Sequence, residues 1–106
     1  MKEIKVFIRP ELLEDVLEPL YAHPEFPGVT ISDVRGFGHK VGRRNRGELG
    51  EVRMIKLETI VPDALLEDVL GVIQEQAHTG RNGDGKIAIY DVREVIRISS
   101  GERIVE

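Results

Sequence analysis

Cysteine and tryptophan are absent, and aromatic residues make up only 5% of the 106 positions. Without cysteine, neither a disulfide nor a thiolate metal site can hold the chain, which suits a reducing compartment and leaves stability to packing or association. With so few rings, the surface has no stacking platform for bases. A basic excess is also missing: 15 Lys and Arg against 19 Asp and Glu give a formal charge of −4. That balance argues against a general nucleic-acid or anionic-membrane binder and still permits a local basic patch. Apolar runs are far shorter than a bilayer span, and Met1 leads directly into an alternating segment instead of a signal-peptide pattern. A cytoplasmic location is the expectation. The length suits one domain, spanning residues 1–106, with an aliphatic core of Val, Ile and Leu.

What is present is patterned. Glu3 to Ile8 alternates, with Ile4, Val6 and Ile8 on one side and Phe7 on the other, as in a half-buried strand. Pro10 suits the first turn of a helix in which Leu12, Leu13, Val16, Leu17 and Leu20 share a face, and Pro19 predicts a kink or an end. Val29 to Val34 reads as a strand whose apolar residues change phase, so a bulge or twist is expected. Gly36 to Gly50 carries five glycines and the basic cluster Lys40, Arg43, Arg44 and Arg46, predicting a long mobile loop over about residues 36–52. Glu51 to Val61 is a strand with Ile55, Leu57 and Val61 on one face. Asp63 is the expected N-cap of a second helix running to about His78. Ile87 to Tyr90 and Arg93 to Ile98 complete the set. The order is βαββαβ with a short extra C-terminal strand, an α+β ferredoxin-like arrangement with helices on one face of an antiparallel sheet. The other face, with Phe7, Val34 and Ile60, then calls for an oligomer.

Thr79 to Tyr90, TGRNGDGKIAIY, carries the chemistry. Gly80, Gly83 and Gly85 permit positive φ, so consecutive N–H groups can converge on an anion beside Lys86. Asn82-Gly83 and Asp84-Gly85 equally fit a plain hairpin turn. His23, His39 and His78 are too scattered for a metal motif, and no triad or carboxylate pair supports catalysis. The expectation is a binding protein with no metal site of its own and no enzymatic activity.

Several segments together resemble the nitrogen regulatory PII signalling family. They are IRPELLEDV at Ile8 to Val16, VRGFG at Val34 to Gly38, LETIVPD at Leu57 to Asp63, TGRNGDGKI at Thr79 to Ile87 and IRISSGE at Ile96 to Glu102. The resemblance implies a homotrimer that binds ATP, ADP or AMP in clefts between subunits and docks through its long loop on a membrane transporter or metabolic enzyme. By the same resemblance Thr79, Gly83, Asp84, Gly85 and Lys86 form a phosphate loop, Thr30, Gly36, Gly38, Glu58 and Ile60 line the pocket, and Arg97 reaches phosphate from a neighbouring subunit. His39, at the loop entrance, matches a phosphate-contacting position. The departures are Ser99 in place of a second Arg, Lys40 in place of the Gln that coordinates Mg²⁺, and Met54 in place of a Lys that pairs with 2-oxoglutarate. These imply a nucleotide with fewer phosphates, leave Mg²⁺ open, and make bicarbonate a better co-effector candidate than 2-oxoglutarate. Arg43, Arg44 and Arg46 become partner-binding residues of a divergent, inorganic-carbon branch. Three alternatives remain: a standard nitrogen-regulatory protein, a CutA-type structural or cation-binding trimer, and a small acylphosphatase-shaped enzyme.

Overall fold

The computed structural model describes residues 1–37 and 50–105. Strand β1 (Lys2–Ile8) is followed by a single 3-10 turn at Pro10–Leu12 and helix α1 (Leu13–Ala22). Strands β2 (Thr30–Phe37) and β3 (Glu51–Val61) come next, then a second 3-10 turn at Asp63–Leu65 and helix α2 (Leu66–Ala77). Strand β4 (Lys86–Asp91) completes a sheet in the order β2-β3-β1-β4, antiparallel throughout. The short strands β5 (Val95–Ile96) and β6 (Arg103–Ile104) pair only with each other. The main body is the ferredoxin-like α+β fold.

The two halves repeat one device. LLEDVL occurs at residues 12–17 and again at 65–70, each time after a proline and a 3-10 turn. In α1 the buried residues are Val16 of the repeat and Leu20 one turn beyond it, and in α2 they are Val69 and Ile73 likewise, the i, i+4 spacing that places two side chains on one helix face. Both pairs pack on Ile4, Val6 and Ile8 of β1 and Ile55, Leu57 and Val61 of β3. Full burial of each such side chain stabilises the fold by about 1.5–3 kcal/mol. Thr59, on the same buried face, donates its hydroxyl to the Gly28 carbonyl at 2.6 Å and so pins the chain entering β2.

Pro19 sits inside α1, which ends three residues later at Ala22. Three expectations need correction. Asp63 is not the N-cap, because Pro62 holds that position, and the Asp63 carboxylate accepts from the Met1 ammonium at 3.0 Å. Of the loop expected over about 36–52, Gly36 and Phe37 instead extend β2 and Glu51 and Val52 open β3, while residues 38–49 lie outside the described residues. The C-terminal segment is a two-stranded hairpin, with only Val95 and Ile96 of the expected 93–98 strand in a ladder.

β2 contains no bulge: its register with β3 is continuous from Thr30↔Glu58 to Phe37↔Glu51. Ile31 lies opposite Leu57 on the helix side, whereas Val34 lies opposite Met54 on the open side. What changes along β2 is which face is apolar, while the backbone keeps its phase.

Candidate functional site

The Gly-rich loop joins α2 to β4, and its shape is set by one carboxylate. Asp84 Oδ2 accepts from the Thr79 amide at 2.8 Å and the Gly80 amide at 3.1 Å, while Oδ1 accepts from the Thr79 hydroxyl and from Arg9 Nε at 2.9 Å. The Arg81 amide in turn donates to the Thr79 hydroxyl at 3.2 Å. Gly80, Gly83 and Gly85 all have positive φ. Asp84 between two such glycines keeps negative φ, the alternation that turns successive N–H groups into one concavity. Among the described residues the amides of Gly83 and Gly85 have no acceptor. Thr79 and Asp84 therefore hold the loop, and the following amides are left for a ligand.

Those bonds pull the Asp84 carboxyl well below its ordinary value of 3.8, the Thr79 hydroxyl and amide being the largest causes, with Arg9 and the Gly80 amide adding to them. A lowered folded-state pKa contributes stability that is present above the unfolded value and lost as pH falls through the folded one. Asp84→Asn is accordingly expected to melt below the wild type at pH 7. The gap between them should narrow as pH drops below 3.8, which thermal melts across an acid series would read.

Beside the loop is an open cleft of about 720 Å³, whose lining includes Gly83, Asp84, Gly85 and Lys86 from the loop, Gly36 and Phe37 from β2, and Phe7, Val34, Val52 and Met54 on the sheet. One wall supplies amide donors and an ammonium, the other aliphatic and aromatic carbon. Such a combination takes an anionic group on an apolar body. Lys86 pairs with no carboxylate among the described residues, so its charge is available to the cleft.

The other sequence-derived positions fall elsewhere in the single chain. Thr30, Glu58 and Ile60 line a second cleft of about 470 Å³ at the start of β2. Thr30 and Gly36 are six strand residues apart, or about 20 Å. Arg97 lies in the turn between β5 and β6, where Nε pairs with Glu102 Oε1 at 3.2 Å, and neither it nor Ser99 lines either cleft. Gly38, His39, Lys40, Arg43, Arg44 and Arg46 lie outside the described residues. His23 is more engaged than a turn histidine: its Nδ1 accepts from the Glu25 amide at 3.1 Å, and Nε2 faces Asp68 of α2 at 3.7 Å. Among the described residues no cluster of His, Cys, Asp and Glu is gathered as for a metal ion, and no helix is long and apolar enough to cross a membrane.

Sequence reasoning missed Arg9. Its signal was positional, because β1 and β4 are antiparallel neighbours with Phe7 opposite Lys86, which brings the residue after β1 beside the loop before β4.

The model for "Nitrogen regulatory protein P-II" matches residues 1–102. A protein of that name from Haemophilus influenzae is 41% identical over 107 residues, covering 96% of this chain and 95% of the relative. The namesake from Rhodospirillum rubrum is 38% identical over 108 residues, covering 97% and 96%. Nitrogen regulatory protein P-II 1 of Escherichia coli K12 is 38% identical over 107 residues, covering 96% and 95%.

Proposed function

The chain belongs to the nitrogen regulatory protein P-II family, whose members are signalling regulators and not enzymes, and from that premise we propose that it senses adenine nucleotides in clefts between three copies of itself. The observation that carries this reading is the pair of acceptor-free amides at Gly83 and Gly85, with Lys86, facing an apolar wall across one cleft. Amides and ammonium take the phosphates; the apolar wall takes the base and ribose edge. Thr30, Glu58 and Ile60 are too far along the sheet to reach the same ligand from the same chain, so a second copy supplies them, together with Arg97 from its hairpin. The open sheet face, bearing Phe7, Val34 and Ile60, is the surface on which the copies meet. The regulated partner is a membrane transporter or a metabolic enzyme, contacted through the basic stretch containing Arg43, Arg44 and Arg46. Nucleotide changes that contact only through different affinity for its different states.

The inorganic-carbon branch has no support in the cleft, and the relatives described above are named for nitrogen regulation. Family membership leaves the CutA-type and acylphosphatase-shaped alternatives without support. Titration calorimetry with AMP, ADP and ATP, each with and without bicarbonate or 2-oxoglutarate, tests the reading. Saturable binding is expected, weakened about tenfold or more in Lys86→Ala, the loss of one charge-assisted contact. Absence of any heat at millimolar nucleotide would sink it. Tight binding of 2-oxoglutarate would overturn the roles given to Lys40 and Met54.

A further inference from the structure

The cations at the loop differ in their surroundings. Lys86 and Arg81 line the cleft; Arg9 does not. Arg9 Nε donates to Asp84 Oδ1 at 2.9 Å and Nη2 donates to the Asn82 carbonyl at 2.8 Å, with the two side chains of the ion pair only 19% and 20% exposed. A Cβ placed on Gly83 would lie 3.6 Å from Nη2, so the guanidinium sits directly against that turn. In a trans peptide the C=O and the following N–H point in opposite directions. The bond that draws the Asn82 carbonyl toward Arg9 therefore turns the Gly83 amide away from it, on a loop whose far side is the cleft. The second bond holds Asp84, whose carboxylate would otherwise repel an incoming phosphate.

We propose that Arg9 is a positioning residue of the phosphate loop: one guanidinium fork sets the direction of the Gly83 amide and keeps the Asp84 carboxylate turned from the ligand, without touching the ligand. The ligand half of this statement rests on the nucleotide reading above; the ordering of the loop does not. A fork is needed because two acceptors of different geometry are held at once, which an ammonium on a single carbon cannot do equally well.

The test compares Arg9→Met, Arg9→Lys and Lys86→Met. Amide hydrogen exchange in the ligand-free protein reads the loop directly. Arg9→Met is expected to speed exchange at Thr79 and Gly80 about tenfold, a value set by loss of one charge-assisted hydrogen bond. Arg9→Lys should recover part of that protection, and Lys86→Met should leave it unchanged. ADP titrations across a salt series read the ligand. Arg9→Met combined with Asp84→Asn, which removes both members of the ion pair and leaves the local charge unchanged, is expected to weaken ADP binding about tenfold while keeping the wild-type salt dependence, whereas Lys86→Met flattens it. Flattening by the charge-balanced pair would place the guanidinium on the phosphates and overturn the proposal, as would unchanged exchange at Thr79 and Gly80 in Arg9→Met. A wild type that binds no nucleotide would remove the functional reading, and the exchange arm would still decide whether Arg9 orders the loop.

Discussion

Gly85→Ala is expected to abolish nucleotide binding and to lower the melting temperature on the order of 15 °C. The new Cβ would fall 1.8 Å from the Phe7 carbonyl oxygen and 2.8 Å from its carbon, with the Met54 methyl at 3.3 Å. Backbone cannot give way there, because Phe7 belongs to the central strand and is paired on both sides, to Lys56 and to Lys86. Gly85 also has φ +109, where any side chain is strained by about 1–3 kcal/mol. A total near 3 kcal/mol corresponds to a shift of that size for a domain of this length. Calorimetric melts with ADP titrations measure both effects. Gly36→Ala is the contrasting control: an added Cβ meets nothing within 4 Å, φ is ordinary, and the melting temperature is expected to stay near wild type. A Gly85→Ala protein as stable as the wild type would show that the loop can lift from β1.

Ile60→Glu is expected to leave the protomer folded and to take the assembly apart. Ile60 is on the open face, 37% exposed, two positions from Glu58 and on the same side of β3. A carboxylate there meets mostly water in one chain, and exposed substitutions of that kind usually shift stability by about 0.5 kcal/mol or less. Between copies the same carboxylate would be buried beside another acid, costing about 2–5 kcal/mol, or on the order of a thousand-fold in association. Sedimentation velocity should show trimer for the wild type and monomer for the variant. Nucleotide affinity should be lost along with it, because in the proposed assembly Thr30, Glu58 and Ile60 reach the phosphate loop from another copy. A monomeric variant that still binds ADP with full affinity would show that one chain holds the whole site.

The parts legible in the sequence were those fixed by local periodicity. β1 and β3 alternate, and the buried side foreseen for β3, Ile55, Leu57 and Val61, is the side the structure buries. The Gly-rich loop was visible through its spacing. What stayed hidden depended on partners distant in sequence. Arg9 and Asp84 are 75 residues apart, so nothing in either neighbourhood announces their pairing. Thr79 and Asp84 were legible as members of the Gly-rich loop, but residue type alone could not show that they bond to each other and set its shape. The apparent phase change in β2 came from assuming one apolar face per strand. Val34 belongs with Met54 on the open side, where the apolar cleft lies, and Ile31 lies opposite Leu57 on the helix side, 41% exposed on the edge strand. Asp63 was misread because its actual partner, the terminal ammonium of Met1, lies 62 positions away.

The central position of β1 also bears on how the molecule is made. It precedes the other described strands, yet its neighbours are β3 and β4, with Lys2 pairing to Val61 on one side and Asp91 on the other. The sheet cannot close until residue 91 has left the ribosome, so β1 waits with both edges unpaired until β3 emerges and with one edge unpaired until β4 follows. Closure then depends on long-range contacts, which form slowly. The charges of Lys2, Glu3 and Lys5, interleaved with Ile4 and Val6, discourage that waiting strand from pairing with its copies on neighbouring chains.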